Sequence, residues 1–209
     1  MKKMYKAMLL VLCAVLLVAG SVMGTLAYLQ MQTGTVTNTM TVGKIEITLD
    51  EGKTDAYGVS TGERIPVTAT NTDGNTYKLI PGHKYSKDPI VTVKANSEAC
   101  YLFVKVVDGI AAIEEKKDAD GTQAAVLTIA EQMAANGWTK MGSTDVWYKH
   151  INTVTATDTS HAVFTSFTIK GDADVASYGG ATIAITAYAV QADGFDTAEA
   201  AWAASGFGE

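Results

Sequence analysis

Three histidines, His83, His150 and His161, set the limits of any imidazole-based metal or acid–base chemistry in this chain. A catalytic zinc site needs ligands converging from fixed spacings and a positioned base, as in His-Glu-x-x-His. None of the three has such a neighbour. His83 comes directly after the Pro81-Gly82 turn and is expected to face solvent, and His150 lies in Val146-Trp147-Tyr148-Lys149-His150-Ile151, where the polar face of a strand accounts for it. Gly58-Val59-Ser60-Thr61-Gly62 has the letters of a hydrolase nucleophile elbow, but that chemistry needs a strand before the serine and a helix after it. The next residues here, Glu63-Arg64-Ile65-Pro66-Val67-Thr68, read as an edge strand. Asp118-Ala119-Asp120-Gly121 begins like a calcium loop but lacks the third ligand position and the closing glutamate, so it reads as a solvated acidic turn. No Gly-rich phosphate loop comes after a strand. The expectation is a chain with no catalytic residues, no cofactor and no metal ligands, and therefore not an enzyme.

The elements that surround these residues begin with a leader. Lys2, Lys3 and Lys6 precede an almost wholly apolar run, Ala7 to Val22, which is the charged-then-hydrophobic order of a secretory signal peptide. Thr25 and Ala27 supply small residues where a signal peptidase reads, which places cleavage between Ala27 and Tyr28. A retained membrane anchor is the alternative, since Ala7 to Met23 sits near the lower limit of about 17 residues for a spanning helix. Cys13 comes after Leu12 inside the apolar run, where a lipoprotein site would require a small residue. Removal of residues 1–27 from the 209 leaves about 180, enough for one well-buried domain. The net charge of −6 becomes about −9 as the three lysines leave. An acidic exported chain without basic runs is a poor partner for nucleic acid or anionic lipid. Cys100 alone remains, so no intramolecular disulfide forms and the core must supply stability.

The segment after the leader is strand-like. Thr33, Thr35, Thr37, Thr39 and Thr41 fall on one face of an extended chain and Val36, Met40 and Val42 on the other, with Asn38 between them. Past Gly43 the parity flips, and Ile45, Ile47 and Leu49 become the apolar set. One flat strand cannot bury both groups against a single core. Gly43 is therefore the place for a bulge, a bend or a hand-over between sheets. The spacing predicts two strands, Gly34 to Val42 and Lys44 to Leu49.

Downstream, Asp50 to Gly62 reads as a loop, Asn71 to Asn75 as a turn, and Pro81-Gly82 as a type II turn. Strands are expected at Ile90 to Lys94, Cys100 to Val107, Asp145 to Ile151, Val163 to Ile169 and Ala181 to Gln191. The second is apolar on nearly every residue and so central in its sheet, with Cys100 packed inside it. Helical spacing of Val126, Ile129, Ala130 and Met133 predicts a helix over Ala124 to Ala135, stopped by Gly137. A second helix is expected over Thr197 to Ala204, N-capped by Asp196, with Gly206 beyond its end. Trp138, Trp147, Tyr148 and Trp202 are expected in the core. Eight to ten short strands with one or two short helices predict a mainly β chain, a β-sandwich of jelly-roll type. Its domains are a signal peptide over 1–27, an N-terminal strand segment over 28–43 and the β domain over 44–209.

The leader ending Gly24-Thr25-Leu26-Ala27-Tyr28, the threonine-rich strand and Val42-Gly43-Lys44-Ile45-Glu46-Ile47-Thr48-Leu49 resemble the start of the TasA and camelysin family of Gram-positive bacteria. Leu79-Ile80-Pro81-Gly82-His83-Lys84-Tyr85-Ser86-Lys87-Asp88, then a strand, Asn96-Ser97 and the apolar strand from Cys100, is similar to the Pro-Gly turn and subsequent strands of those proteins. The resemblance covers about half of the chain. It implies export through a SipW-type signal peptidase to the extracellular matrix or cell surface. It also implies self-assembly into biofilm fibres by donation of the N-terminal strand to the next subunit, with Val36, Asn38, Met40 and Val42 as assembly residues, and a minor fibre-anchoring protein as a partner. Two other functions stand beside it. A camelysin-like extracellular metallopeptidase rests on family naming alone, and a surface adhesin or binding module rests on secretion and a β fold.

Overall fold

Alternating burial builds most of this protein, because side chains of an extended chain point to opposite faces of a sheet. The computed structural model describes residues 2–28, 43–68, 71, 74–120 and 122–208. Among them the strands are β1 (Ile47–Thr54), β2 (Ser60–Val67), β3 (Lys84–Ser86), β4 (Ile90–Val93), β5 (Cys100–Asp108), β6 (Thr139–Lys140), β7 (Val146–Ile151), β8 (Thr159–Ala162), β9 (Ser166–Thr168) and β10 (Ile183–Gln191). The helices are α1 (Lys2–Tyr28), α2 (Ile129–Ala135) and α3 (Ala198–Ser205). The fold is mainly β and its sheets are antiparallel.

Met1–Thr41 and Val42–Glu209 are two separate units. In the first, α1 runs unbroken through the apolar leader and across the Ala27-Tyr28 peptide. Among the described residues, no helix is long and apolar enough to cross a membrane. The segment Gly34 to Val42, with Val36, Asn38, Met40 and Val42, lies outside the described residues.

The second unit contains two four-stranded sheets, ordered β2-β1-β4-β8 and β10-β5-β7-β6, and the small pair β3-β9. Val91 and Val93 from β4 and Leu102 and Val104 from β5 are fully buried in one core that both large sheets share. Cys100 is fully buried in the same core, and burial pushes its thiol up to about 11, so it is held protonated as a small apolar side chain. Trp138 and Trp147 belong to this core as well. Tyr148 and Trp202 are only half-buried, in a second cluster where α3 packs on Phe103.

Several elements differ from the sequence expectation, each for a tertiary reason. Asp50 to Gly62 is not a loop: β1 continues to Thr54 and β2 begins at Ser60. The Asp55 carboxylate makes the hairpin turn between them, accepting hydrogen bonds from Tyr57 N and Val59 N at 2.9 Å each. The first domain strand starts at Ile47 instead of Lys44, although Lys44 O and Glu46 O still accept from Glu98 N and Lys94 N at 2.9 Å. The middle helix starts at Ile129, not Ala124. Thr128 and Glu131 form a reciprocal capping box, and just upstream Val126 is held extended by backbone bonds to Lys117. Val163 to Ile169 shrinks to β9, and the polar β8, Thr-Ser-His-Ala, appears where no apolar alternation marks it. Thr197, not Asp196, caps α3 through its Oγ1, which accepts from Ala200 N at 3.1 Å. Gly206 ends that helix in the left-handed conformation, φ 73°.

Candidate functional site: free strand edges

The residues with the chemistry of a catalytic site do not converge. His83 is partly exposed after its turn, with Nε2 2.9 Å from Tyr57 O and its ring edge-on to Tyr85. His150 on β7 and His161 on β8 both line an open depression of about 460 Å³ whose other walls are the 151–159 loop. His161 Nε2 is buried without a hydrogen-bond partner among the described residues, and burial holds the ring below its ordinary value. Among the described residues, no three or more His, Cys, Asp or Glu side chains are grouped to hold a metal ion. Ser60 opens β2 in a hairpin and its Oγ accepts from Gly62 N, so the serine leads into a strand and not a helix. Asp120 folds back on its own turn, and the Thr122 hydroxyl, then the Thr122 and Gln123 N–H groups, depress its carboxyl to about 2 by donating to it.

Two buried polar groups were not legible in the sequence. Lys87 Nζ sits 2.9 and 2.8 Å from the two oxygens of Glu51, and both residues are under a tenth exposed. Asn75 Nδ2 donates to Glu51, and Tyr77 OH donates to Ser86 O. The Tyr77 hydroxyl is pushed up to about 12 by burial and by the Glu51 charge. This cluster ties β1 to the segment after β3.

The second group is a carboxyl pair, Asp108 at the end of β5 and Glu114. Glu114 is 4% exposed, both its oxygens accept from Ile129 N at 3.2 Å, and burial, then the Asp108 charge, pushes it up to about 8. A carboxyl raised in the folded state favours folding below its ordinary value near 4.5 and loses that contribution as pH rises toward 8. Glu114→Gln mimics the neutral acid. Between pH 5 and pH 8 the wild-type domain should lose stability on the order of a few kcal/mol more than this variant, read by urea unfolding. Equal losses in the two proteins would place the pH dependence elsewhere.

The remaining candidate is the set of sheet edges, where unpaired backbone groups can accept another strand. β2 is guarded: it carries Glu63, Arg64 and Pro66, with Arg64 paired to Asp50 and Asp88. β8 has four residues and β6 has two. β10 differs from all of these. Its nine residues register on β5 from Ile183↔Asp108 to Gln191↔Cys100, and none is charged or proline. Among the described residues, no strand pairs with its other side.

The inward row of β10 is also incompletely covered. Leu102 and Val104 on β5 are fully buried, while their partners Ala189 and Ala187, like Ile185 and Ile183, are partly buried against the same core. β1 lies against β10 at this margin, and its inward Ile47 and Leu49 are partly buried too. On the outward row Ala184 and Thr186 are exposed, while Tyr188 and Val190 pack against the second cluster, Tyr188 edge-on to Trp202 at 5.4 Å. An edge with free backbone groups beside a partly buried aliphatic row is equipped to bind an extended, uncharged strand. Compared with protein-family models, curated proteins and solved structures, the chain finds no match in any of the three.

Proposed function

We propose that this chain is a secreted structural subunit of extracellular matrix fibres, a jelly-roll-type domain that polymerises by donating its N-terminal strand to the next subunit. The observation that carries the reading is the long, uncharged, unguarded β10 edge in a domain whose other edges are short or protected. Natural sheets guard such an edge unless something pairs with it. The leader over 1–27, cleaved between Ala27 and Tyr28 by a SipW-type peptidase, would free the donor segment. Its row of Val36, Asn38, Met40 and Val42 then needs a core other than the one that Ile45, Ile47 and Leu49 already face. Head-to-tail donation is a heterologous contact and gives filaments instead of closed rings. At about 3.3 Å per residue, Tyr28 to Val42 spans roughly 50 Å, enough to reach a neighbour of this size. Within this proposal the protein acts by assembly and not by catalysis, and a fibre-anchoring protein is its further partner. Electron microscopy of the purified secreted chain tests it: filaments are expected, and dispersed particles at every concentration would refute the proposal.

A further inference from the structure

We infer that Lys87 and Asn75 join through their side chains, the Lys87 amine displacing ammonia from the Asn75 amide with Glu51 as the proton carrier, so that the folded chain carries an intramolecular amide cross-link. The bond is independent of the fibre reading and needs no partner, cofactor or second copy. Lysines stay at the surface unless paired, and Lys87 is 5% exposed beside a Glu51 that is 8% exposed. An ion pair accounts for these two side chains and not for the third. Asn75 Nδ2 donates at 2.9 Å to Glu51 Oε1, the same oxygen that lies 2.9 Å from Lys87 Nζ. Nucleophile and leaving nitrogen are thus held on one atom, at most twice that distance apart. The orientation of the amide is fixed as well: Nδ2 also donates to Gly52 O at 2.8 Å, and Oδ1 accepts from Thr54 N at 2.8 Å. Tyr77 OH donates to Ser86 O at 3.0 Å and ties the segment carrying Asn75 to the one carrying Lys87.

The chemistry balances within the three side chains. The Glu51 carboxylate takes a proton from the Lys87 ammonium, and the freed amine attacks Asn75 Cγ. Negative charge develops on Oδ1, where the Thr54 N–H already points. Glu51 then gives its proton to Nδ2 as the Cγ–Nδ2 bond breaks, and takes a second one from Nζ as the Cγ–Nζ amide forms. One ammonia leaves, nothing is oxidised or reduced, and Glu51 ends as the neutral acid. Two buried charges become neutral groups, which favours the product where water is scarce. Amine attack on an amide is slow in solution, and holding both groups on one carboxylate removes the cost of bringing them together. The ring that the bond closes, residues 75–87, is short, and short rings restrain the unfolded chain least, so mass and not stability is the readout.

Mass spectrometry of the purified, folded chain tests this. The wild-type protein should be lighter than its sequence by one ammonia, and trypsin should release residues 65–78 joined to residues 85–94, with no cut after Lys87. Lys87→Arg keeps the cation without the nucleophile, and Glu51→Gln keeps the shape without the proton carrier. Both variants should have the full mass, with circular dichroism as the check on folding. A wild-type chain of full mass that is cut after Lys87 would overturn the inference, whatever the variants do. Ammonia lost equally from wild type and from Lys87→Arg would overturn it too, since Asn136-Gly137 can cyclise with the same loss. A joined peptide recovered from Glu51→Gln would overturn the part assigned to Glu51.

Discussion

Val36→Asp or Met40→Asp in the donor segment should abolish filament growth while leaving the thermal unfolding of the domain within about a degree or two of wild type. Each apolar side chain of this size that becomes fully buried is worth about 1.5–3 kcal/mol, and in the proposed fibre three of them together with a ladder of backbone hydrogen bonds would hold one subunit to the next. An aspartate in that row carries an unpaired carboxylate into the neighbour's aliphatic margin, which costs more than the lost burial alone. Within the proposed fibre the cost falls on assembly, because the row would enter another subunit's core. Thr37→Asp, on the opposite face, should slow growth only modestly. Turbidity or light scattering reads the assembly, and circular dichroism reads the fold. Equal sensitivity of both faces would mean that the strand is not seated with one side buried.

Lys87→Met should destabilise the domain by about 3–5 kcal/mol, the largest single-residue effect expected on folding. The ammonium lies against both oxygens of Glu51, and neither side chain has water enough to replace the other. Removing the lysine strands a carboxylate among β1, Asn75 and Tyr77. Pairing the change with Glu51→Leu should recover most of the loss, because two apolar groups need no partner. Urea unfolding of the single and double variants separates the two cases: a double variant as unstable as the single one would show that the ion pair is not the cause.

The sequence carried the parts of this fold that arise from local chemistry. Cys100 to Val107 shows its central position through an unbroken apolar run, and the structure seats it between β10 and β7. Pro81-Gly82 is the turn its residues require, with Gly82 at φ 76° and His83 N donating to Ile80 O. What local chemistry could not show depends on partners distant in the chain. β1 runs on through Asp50, Glu51 and Gly52 because Arg64, Lys87 and Asp88 come from elsewhere to satisfy them. A Cβ at Gly52 would collide with Asp88 Oδ1, so the glycine that looks like a loop residue is there for that close approach. β8 is polar because it lies at an edge, and polarity alone does not distinguish an edge from a loop.

The candidate site was half legible. The parity break at Gly43 is legible in the letters, since Val36, Met40 and Val42 fall on the opposite parity to Ile45, Ile47 and Leu49. The free edge of β10 is not visible in the letters, because Ile183 to Gln191 reads as any strand of small and β-branched residues. Only the strand order shows it to be an edge, and only burial shows its inward row to be incompletely covered.

Electron microscopy of the chain without residues 1–27, beside the same chain also lacking Tyr28 to Val42, tests the central claim most directly, with cooperative thermal unfolding as the check on folding. The expected result is filaments from the first, and from the second a monodisperse folded domain that unfolds cooperatively and forms none. A truncated chain that unfolds, or one that still makes filaments, would contradict the account.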